Sequence, residues 1–274
     1  CICCNPKDGA IMLKFKCVPD YQAMSAAGAE IIYQAAASKL SQGQPFNLGL
    51  ATGNTMLELY RILAEMFNRN RLDLTRLQTW NLDEYALDEH TAVPPSHPLS
   101  YWKYMHENLF DRLLPERNFR EAQAHFPDPA APADFDRALA AAGGLDLQLL
   151  GIGFNGHIAF NEPMPPESIS ATAFAALPTR VIALAERTIA ANAVLTANGS
   201  RDLVPRYAAT MGMQQILSAR QTLLLACFAE QQEPLTRMLQ DRVPTPALPA
   251  SFLLSHPDFQ LIYTADKINL KNLL

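Results

Sequence analysis

An α/β fold, with a mostly parallel sheet and helices on both faces, is what this sequence predicts. Two observations carry that reading: short apolar runs fit for buried strands recur along the chain, and helical segments alternate with them. The composition agrees, with 49% hydrophobic and 18% charged residues, the balance of an ordinary packed globule. A chain of 274 residues is expected to form one large domain, because single cores stop growing at about 250–300 residues. No internal repeat or linker breaks it, and the Pro/Ala-rich patch Pro127–Ala133 reads as a surface loop.

The elements follow in order. Ala-rich sequence with helical spacing predicts a helix over Asp20–Leu40, stopped by Ser41-Gln42-Gly43-Gln44-Pro45. Phe46–Ala51 reads as a strand, Thr52–Thr55 as a tight turn and Met56–Phe67 as an amphipathic helix. Strands are then expected at Leu77–Asn81, Leu145–Gly151, Arg180–Leu184, Gln221–Cys227 and Phe259–Tyr263. Helices are expected at Tyr101–Leu113, Asp134–Ala142, Gln214–Ser218 and Pro234–Gln240. The result is a modified Rossmann-like domain over residues 12–274, with residues 1–11 an extension ahead of Met12. In such sheets ligands bind beyond the carboxyl ends of the strands.

Twenty-two Lys and Arg against twenty-seven Asp and Glu give a net charge of −5. No basic cluster suggests a nucleic-acid footprint or an anionic membrane surface, so a small-molecule partner is expected, with a homo-oligomer left open. The longest charge-free apolar stretches, such as Gln221–Phe228, fall short of the roughly 20 residues a membrane span needs. Five cysteines, three of them within the first four positions, do not form a disulfide framework, and a reducing cytoplasm is expected. Cys1, Cys3 and Cys4 are too closely spaced for the usual metal pairing, so no metal is assigned.

Three loops carry candidate chemistry. Thr52-Gly53-Asn54-Thr55 joins a strand to a helix through small and hydroxyl residues, which suits an anion, although Thr55 could instead simply cap the helix. Asn81-Leu82-Asp83-Glu84-Tyr85 puts two carboxylates at a strand end, where Asp83 can serve as an acid or base or merely cap a following helix. The third, Gly151-Ile152-Gly153-Phe154-Asn155-Gly156-His157-Ile158-Ala159-Phe160-Asn161-Glu162-Pro163, opens with a G-x-G-x-x-G pattern. A dinucleotide reading fails, because no acidic residue lies between Ser168 and Ala185 to hold a ribose, and Asn161-Glu162-Pro163 interrupts the helix that should follow. The glycines instead let the backbone fold around His157 and Glu162, equipment for moving protons near pH 7. His90, His97, His106, His125 and His256 lack ligand spacing, and no G-x-S-x-G elbow supplies a serine nucleophile.

Taken together, LATGNT, NLDEY followed by HPLSYWKYM, and LGIGFNGHIAFNEP resemble the glucosamine-6-phosphate deaminase family of amino-sugar phosphate isomerases. VPRYAATMGMQQILSARQTLLL and LPASFLLSHPDF extend the resemblance over about residues 20 to 265. It implies conversion of a 2-amino sugar 6-phosphate to the ketose phosphate with release of ammonia and without a cofactor. Asp83 then corresponds to the base that carries a proton between C2 and C1, and His157 to the group that assists ring opening at O5. Glu162 corresponds to the acid that orients that histidine, and Asn155 stands where members carry Asp or Asn. Thr52, Gly53, Asn54 and Thr55 correspond to the phosphate loop, and Arg206 to a phosphate-binding lysine.

Departures from the pattern are informative. Asn54 replaces a second glycine and Met56 a proline, which raises the question of backbone freedom and crowding at the phosphate. Val194 stands where members carry a phosphate arginine, leaving Arg180, Arg187 and Arg201 as candidates to replace it. The arginine segment that follows Asn-Glu-Pro in allosteric members is absent, so no activation by an N-acetylated sugar phosphate is expected. Glucosamine 6-phosphate is the expected substrate, and galactosamine 6-phosphate in the same reaction is the first alternative. The others are a 6-phosphogluconolactonase-like hydrolase, against which Asn81–Tyr85 and Asn161–Pro163 speak, and a non-catalytic sugar-phosphate sensor, against which the intact Asp83, His157 and Glu162 speak.

Overall fold

A computed structural model describes residues 13–273; the expected extension over residues 1–11 and its three cysteines lie outside the described residues. The core is a seven-stranded sheet in the order β1-β10-β9-β6-β2-β3-β5, every pairing parallel. Its strands are β1 (Lys14–Val18), β2 (Phe46–Leu50), β3 (Leu77–Asn81), β5 (Ala124–His125), β6 (Leu147–Gly151), β9 (Gln221–Ala226) and β10 (Phe259–Thr264). The central strands are buried along nearly their whole length, so both faces must be covered, and helices flank them. Helix α1 (Tyr21–Leu40), capped by the Asp20 carboxylate on the Ala23 N–H, crosses β2, β9 and β10 and packs on α2 (Leu57–Arg69).

Strand order reverses between β2 and β6. The chain proceeds from β2 outward to β3 on one side, and from β6 outward to β9 and β10 on the other. The loops leaving these two neighbours therefore diverge and open a crevice at the carboxyl edge of the sheet. Thr52–Thr55 follows one strand and Gly153–Pro163 the other.

A second sheet was not anticipated. β4 (Asp83–Ala86), β8 (Tyr207–Thr210) and β7 (Arg180–Ala183) form an antiparallel unit in the order β4-β8-β7. Asn81–Tyr85 is thus a crossing from one sheet to the other, where a loop was expected, and the strand expected at Arg180–Leu184 belongs to the small sheet. Further helices α3 (Tyr101–Asn108), α4 (Pro132–Ala141), α5 (Ala171–Ala175), α6 (Glu186–Thr196), α7 (Met213–Leu217) and α8 (Gln232–Asp241) complete the α-helices among the described residues. The helix expected to Leu113 ends at Asn108 and resumes as a 3-10 turn at Phe110–Arg112, and α4 begins two residues earlier than expected, with Pro132 at its first position.

The opposite pole of the large sheet is held by Asp146. Its buried carboxylate accepts the Asn47 N–H at 2.9 Å and meets Lys39 at 2.6 Å and Arg220 at 2.9 Å. The two cations are partly solvated, so their contribution is screened, whereas the Asn47 N–H is buried with the carboxylate. Asp146→Ala is expected to cost about 1–3 kcal/mol in thermal unfolding and Lys39→Ala less than about 1 kcal/mol.

Candidate functional site

The crevice is a cleft of about 760 Å³ whose wall includes Thr52–Thr55, Asp83, Asn155, His157 and Arg187. The loop after β2 is shaped by its carbonyls. Tyr60, Tyr21 and Tyr104 donate their hydroxyls to the carbonyls of Ala51, Asn54 and Gly53 respectively. The Gly53, Asn54 and Thr55 amides find no protein acceptor among the described residues, and no side chain caps α2, whose cap position is Met56. Thr55 is therefore not the helix cap, and the loop presents uncommitted N–H groups of the kind that bind anions. Gly53 has φ +105° and needs glycine's freedom. Asn54 is not among the residues with positive φ, so the second glycine of the resembled pattern is dispensable here. Met56 is fully buried beside Gly151 and does not line the cleft.

Asp83 opens β4, opposite Thr210 in the register. Its Oδ1 accepts the Phe160 N–H at 3.2 Å, an N–H shared with the Thr210 hydroxyl oxygen at 3.0 Å. Burial pushes the Asp83 carboxyl up to about 7, against the Thr210 and Phe160 hydrogen bonds that favour its charged form. The adjacent carboxylate has another task. Glu84 accepts the N–H groups of Tyr85, Tyr101 and Trp102 and the Ser100 hydroxyl, all within 3.0 Å, and so fixes the start of α3. That helix brings Tyr101 and Tyr104 to the cleft wall.

Asn155, His157 and Glu162 form one chain of hydrogen bonds. The Asn155 amide donates Nδ2–H to Glu162 Oε2 at 2.7 Å, which leaves its Oδ1 to accept from His157 Nδ1 at 2.7 Å. His157 must therefore be protonated at Nδ1, leaving Nε2 with a lone pair when the ring is neutral. Glu162 stays 3.7 Å from the ring and orients it through the amide, not directly. Thr188, at the start of α6, donates its hydroxyl to Glu162 Oε1 at 2.6 Å. Burial holds the imidazole below its ordinary pKa; Glu162 opposes this and Arg187 adds to it. A side chain at Gly153 would overlap the ring, since its Cβ would come within 2.4 Å of three imidazole atoms. Ala159 takes a left-handed φ of 54°, a strain of about 1–2 kcal/mol, just before the N–H that reaches Asp83.

Arg206 is not in the cleft wall. β8 runs antiparallel to β4, with Tyr207 opposite Ala86 and Thr210 opposite Asp83. Arg206 thus lies past the far end of the strand, about 13 Å along the chain from the Asp83 level. Its exposed guanidinium lies 3.8 Å from Glu186. Of the other candidate cations, Arg180 is bound to Asn161 Oδ1 at 2.8 Å and Arg201 pairs with Glu186, whereas Arg187 lines the cleft. Tyr21, Tyr60 and Thr188 escaped the sequence reading, and Thr210 lay within the VPRYAATMGM string without being singled out. Tyr101 and Tyr104 lay within HPLSYWKYM and were legible there as part of a motif. No cluster of His, Cys, Asp and Glu suited to a metal occurs among the described residues, nor does any helix there have the length and apolarity to cross a membrane.

A family model described as glucosamine-6-phosphate isomerases/6-phosphogluconolactonase matches residues 19–262. A glucosamine-6-phosphate deaminase of Rhodopirellula baltica is 37% identical over 260 residues, covering 93% of this chain and 94% of that protein. The solved structure of a monomeric glucosamine-6-phosphate deaminase superposes with a TM-score of 0.79 at 31% identity, over 93% of this chain and 98% of that one. A 6-phosphogluconolactonase from Thermotoga maritima reaches a TM-score of 0.66 at 20% identity, covering 92% and 99%, a likeness of fold alone.

Because Asp83 is an acid whose pKa rises on folding, its charged form opposes the folded state. The cost is absent below the unfolded pKa of about 4 and grows until the carboxyl has ionised, above about 7. Asp83→Asn is expected to raise Tm above pH 7 by the equivalent of about 2–4 kcal/mol, a gain that vanishes near pH 4.

Proposed function

The chain belongs to the family of glucosamine-6-phosphate isomerases and 6-phosphogluconolactonases, and from this premise we propose that it converts glucosamine 6-phosphate and water to fructose 6-phosphate and ammonia. The observation that carries the reading is that Asp83 and His157 line one cleft with a loop of uncommitted amides. The deaminase names of relatives such as that from Rhodopirellula baltica favour this reaction over lactone hydrolysis.

In this reading the loop at Thr52–Thr55 receives the phosphate and fixes the hexose, so that position supplies much of the rate. His157, through Nε2, moves the proton that opens the ring at O5, while Asn155 and Glu162 keep its Nδ1–H pinned. With the sugar open, the Asp83 carboxylate takes the proton from C2 and returns it to C1, while the C1 carbonyl oxygen gains a proton and the amine nitrogen loses one. The carbon–nitrogen double bond thereby placed at C2 adds water and releases ammonia, leaving the ketose. Asp83 is suited to both halves of the transfer, because a group titrating near 7 gives and takes a proton with little penalty at neutral pH.

The test is enzyme-coupled detection of ammonia from glucosamine 6-phosphate, with galactosamine 6-phosphate in parallel to assign the epimer. Asp83→Asn is expected to lower kcat by about 10²–10⁴-fold with the fold intact by circular dichroism; a fully active variant refutes the role. Since the carboxylate form is the base, kcat/KM is expected to climb as pH rises through about 7, and a flat profile there would exclude Asp83 as the titrating group.

A further inference from the structure

We infer that Arg187 is the cation that grips the substrate phosphate in this chain, in place of an arginine at the Val194 position; the inference rests on the sugar-phosphate reading above. Both residues are on α6, seven positions apart in the sequence, so they share a helix face about two turns apart. Val194 is 75% exposed and outside the cleft wall. Among the described residues Arg187 is the one Lys or Arg in that wall, which also holds the carboxylates Asp83 and Glu230. The amides at Gly53–Thr55 offer dipoles but no net charge, and Arg180, whose charge acts on Asp83, is bound to Asn161 and does not line the cleft, which leaves Arg187 as the cation open to a phosphate dianion there.

The guanidinium is loosely held. Its nitrogen lies 3.6 Å from Glu162 Oε2 and its side chain is 61% exposed, too long a contact for a hydrogen bond and open enough to turn toward a ligand. Its root is firm, because neighbouring Thr188 is buried and bonded to Glu162. An arginine's planar fork suits two phosphate oxygens at once. A phosphate on Arg187 also offsets the downward push of that guanidinium on the His157 imidazole, linking the anchor to the group that works on O5.

The experiment is calorimetric titration with glucose 6-phosphate, which has the phosphate but no amine to lose, against glucose as the unphosphorylated control. Wild-type protein is expected to prefer glucose 6-phosphate, Arg187→Ala to weaken its binding by about 10–100-fold, and Arg187→Lys to lose less. Unchanged affinity in Arg187→Ala overturns the inference, as does a wild type that binds both sugars alike. Should Arg187→Ala not fold, Arg187→Lys decides: binding equal to wild type overturns the inference, and a loss of the planar grip supports it. Wild-type protein that binds glucose 6-phosphate through Arg187 yet releases no ammonia from glucosamine 6-phosphate overturns the deaminase reading and leaves this one standing.

Discussion

The N–H of Phe160 is the joint on which the site depends. It belongs to the loop leaving β6 of the large sheet, yet it is shared by Asp83 and Thr210, facing residues of the small sheet. One donor thus ties the segment carrying the imidazole to the strand pair carrying the carboxylate. The left-handed residue before it, Ala159, shows that the backbone is bent against its own preference to make the connection, as strained residues at functional sites often are.

Around that joint, two titratable groups are given different characters by simple means. Asp83 is tuned by loss of water, only partly offset by hydrogen bonds. His157 is set by a primary amide that is itself oriented by Glu162, so a neutral side chain transmits the directing effect of a charge without placing the charge against the ring. The Thr52–Thr55 loop follows a third rule: tyrosines tie off the carbonyls of Ala51, Gly53 and Asn54, while the amides of Gly53, Asn54 and Thr55 stay uncommitted.

The five inner strands of the large sheet were legible because they carry their own signal, whereas its edge strands, the mostly exposed β1 and the two-residue β5, were not. Phe46–Leu50, Leu147–Gly151 and Gln221–Ala226 are short, apolar and followed by turns, and burial on both faces rewards that pattern whatever the neighbours are. The small sheet was not, since DEYA in β4 and YAAT in β8 have no such pattern, and their pairing spans more than a hundred residues of chain. For that reason Asp83 could be singled out while its partner Thr210 could not. The place of Arg206 was hidden for the same cause: only the antiparallel register reveals that it lies past the end of β8 away from Asp83. Glu186–Thr196, with its many alanines and scattered polar residues, announces no helix face, so Thr188 had no signal and Arg187 was one of three undecided cations.

Division of the site between two sheets has an evolutionary corollary. The Thr52–Thr55 turn and the His157 loop belong to the seven-stranded platform, whereas Asp83 and, through the β7–β8 connection, Arg187 belong to the three-stranded appendage. Under the proposed function each sheet carries one proton-transfer group and one anchor, so drift in either alters recognition and chemistry together.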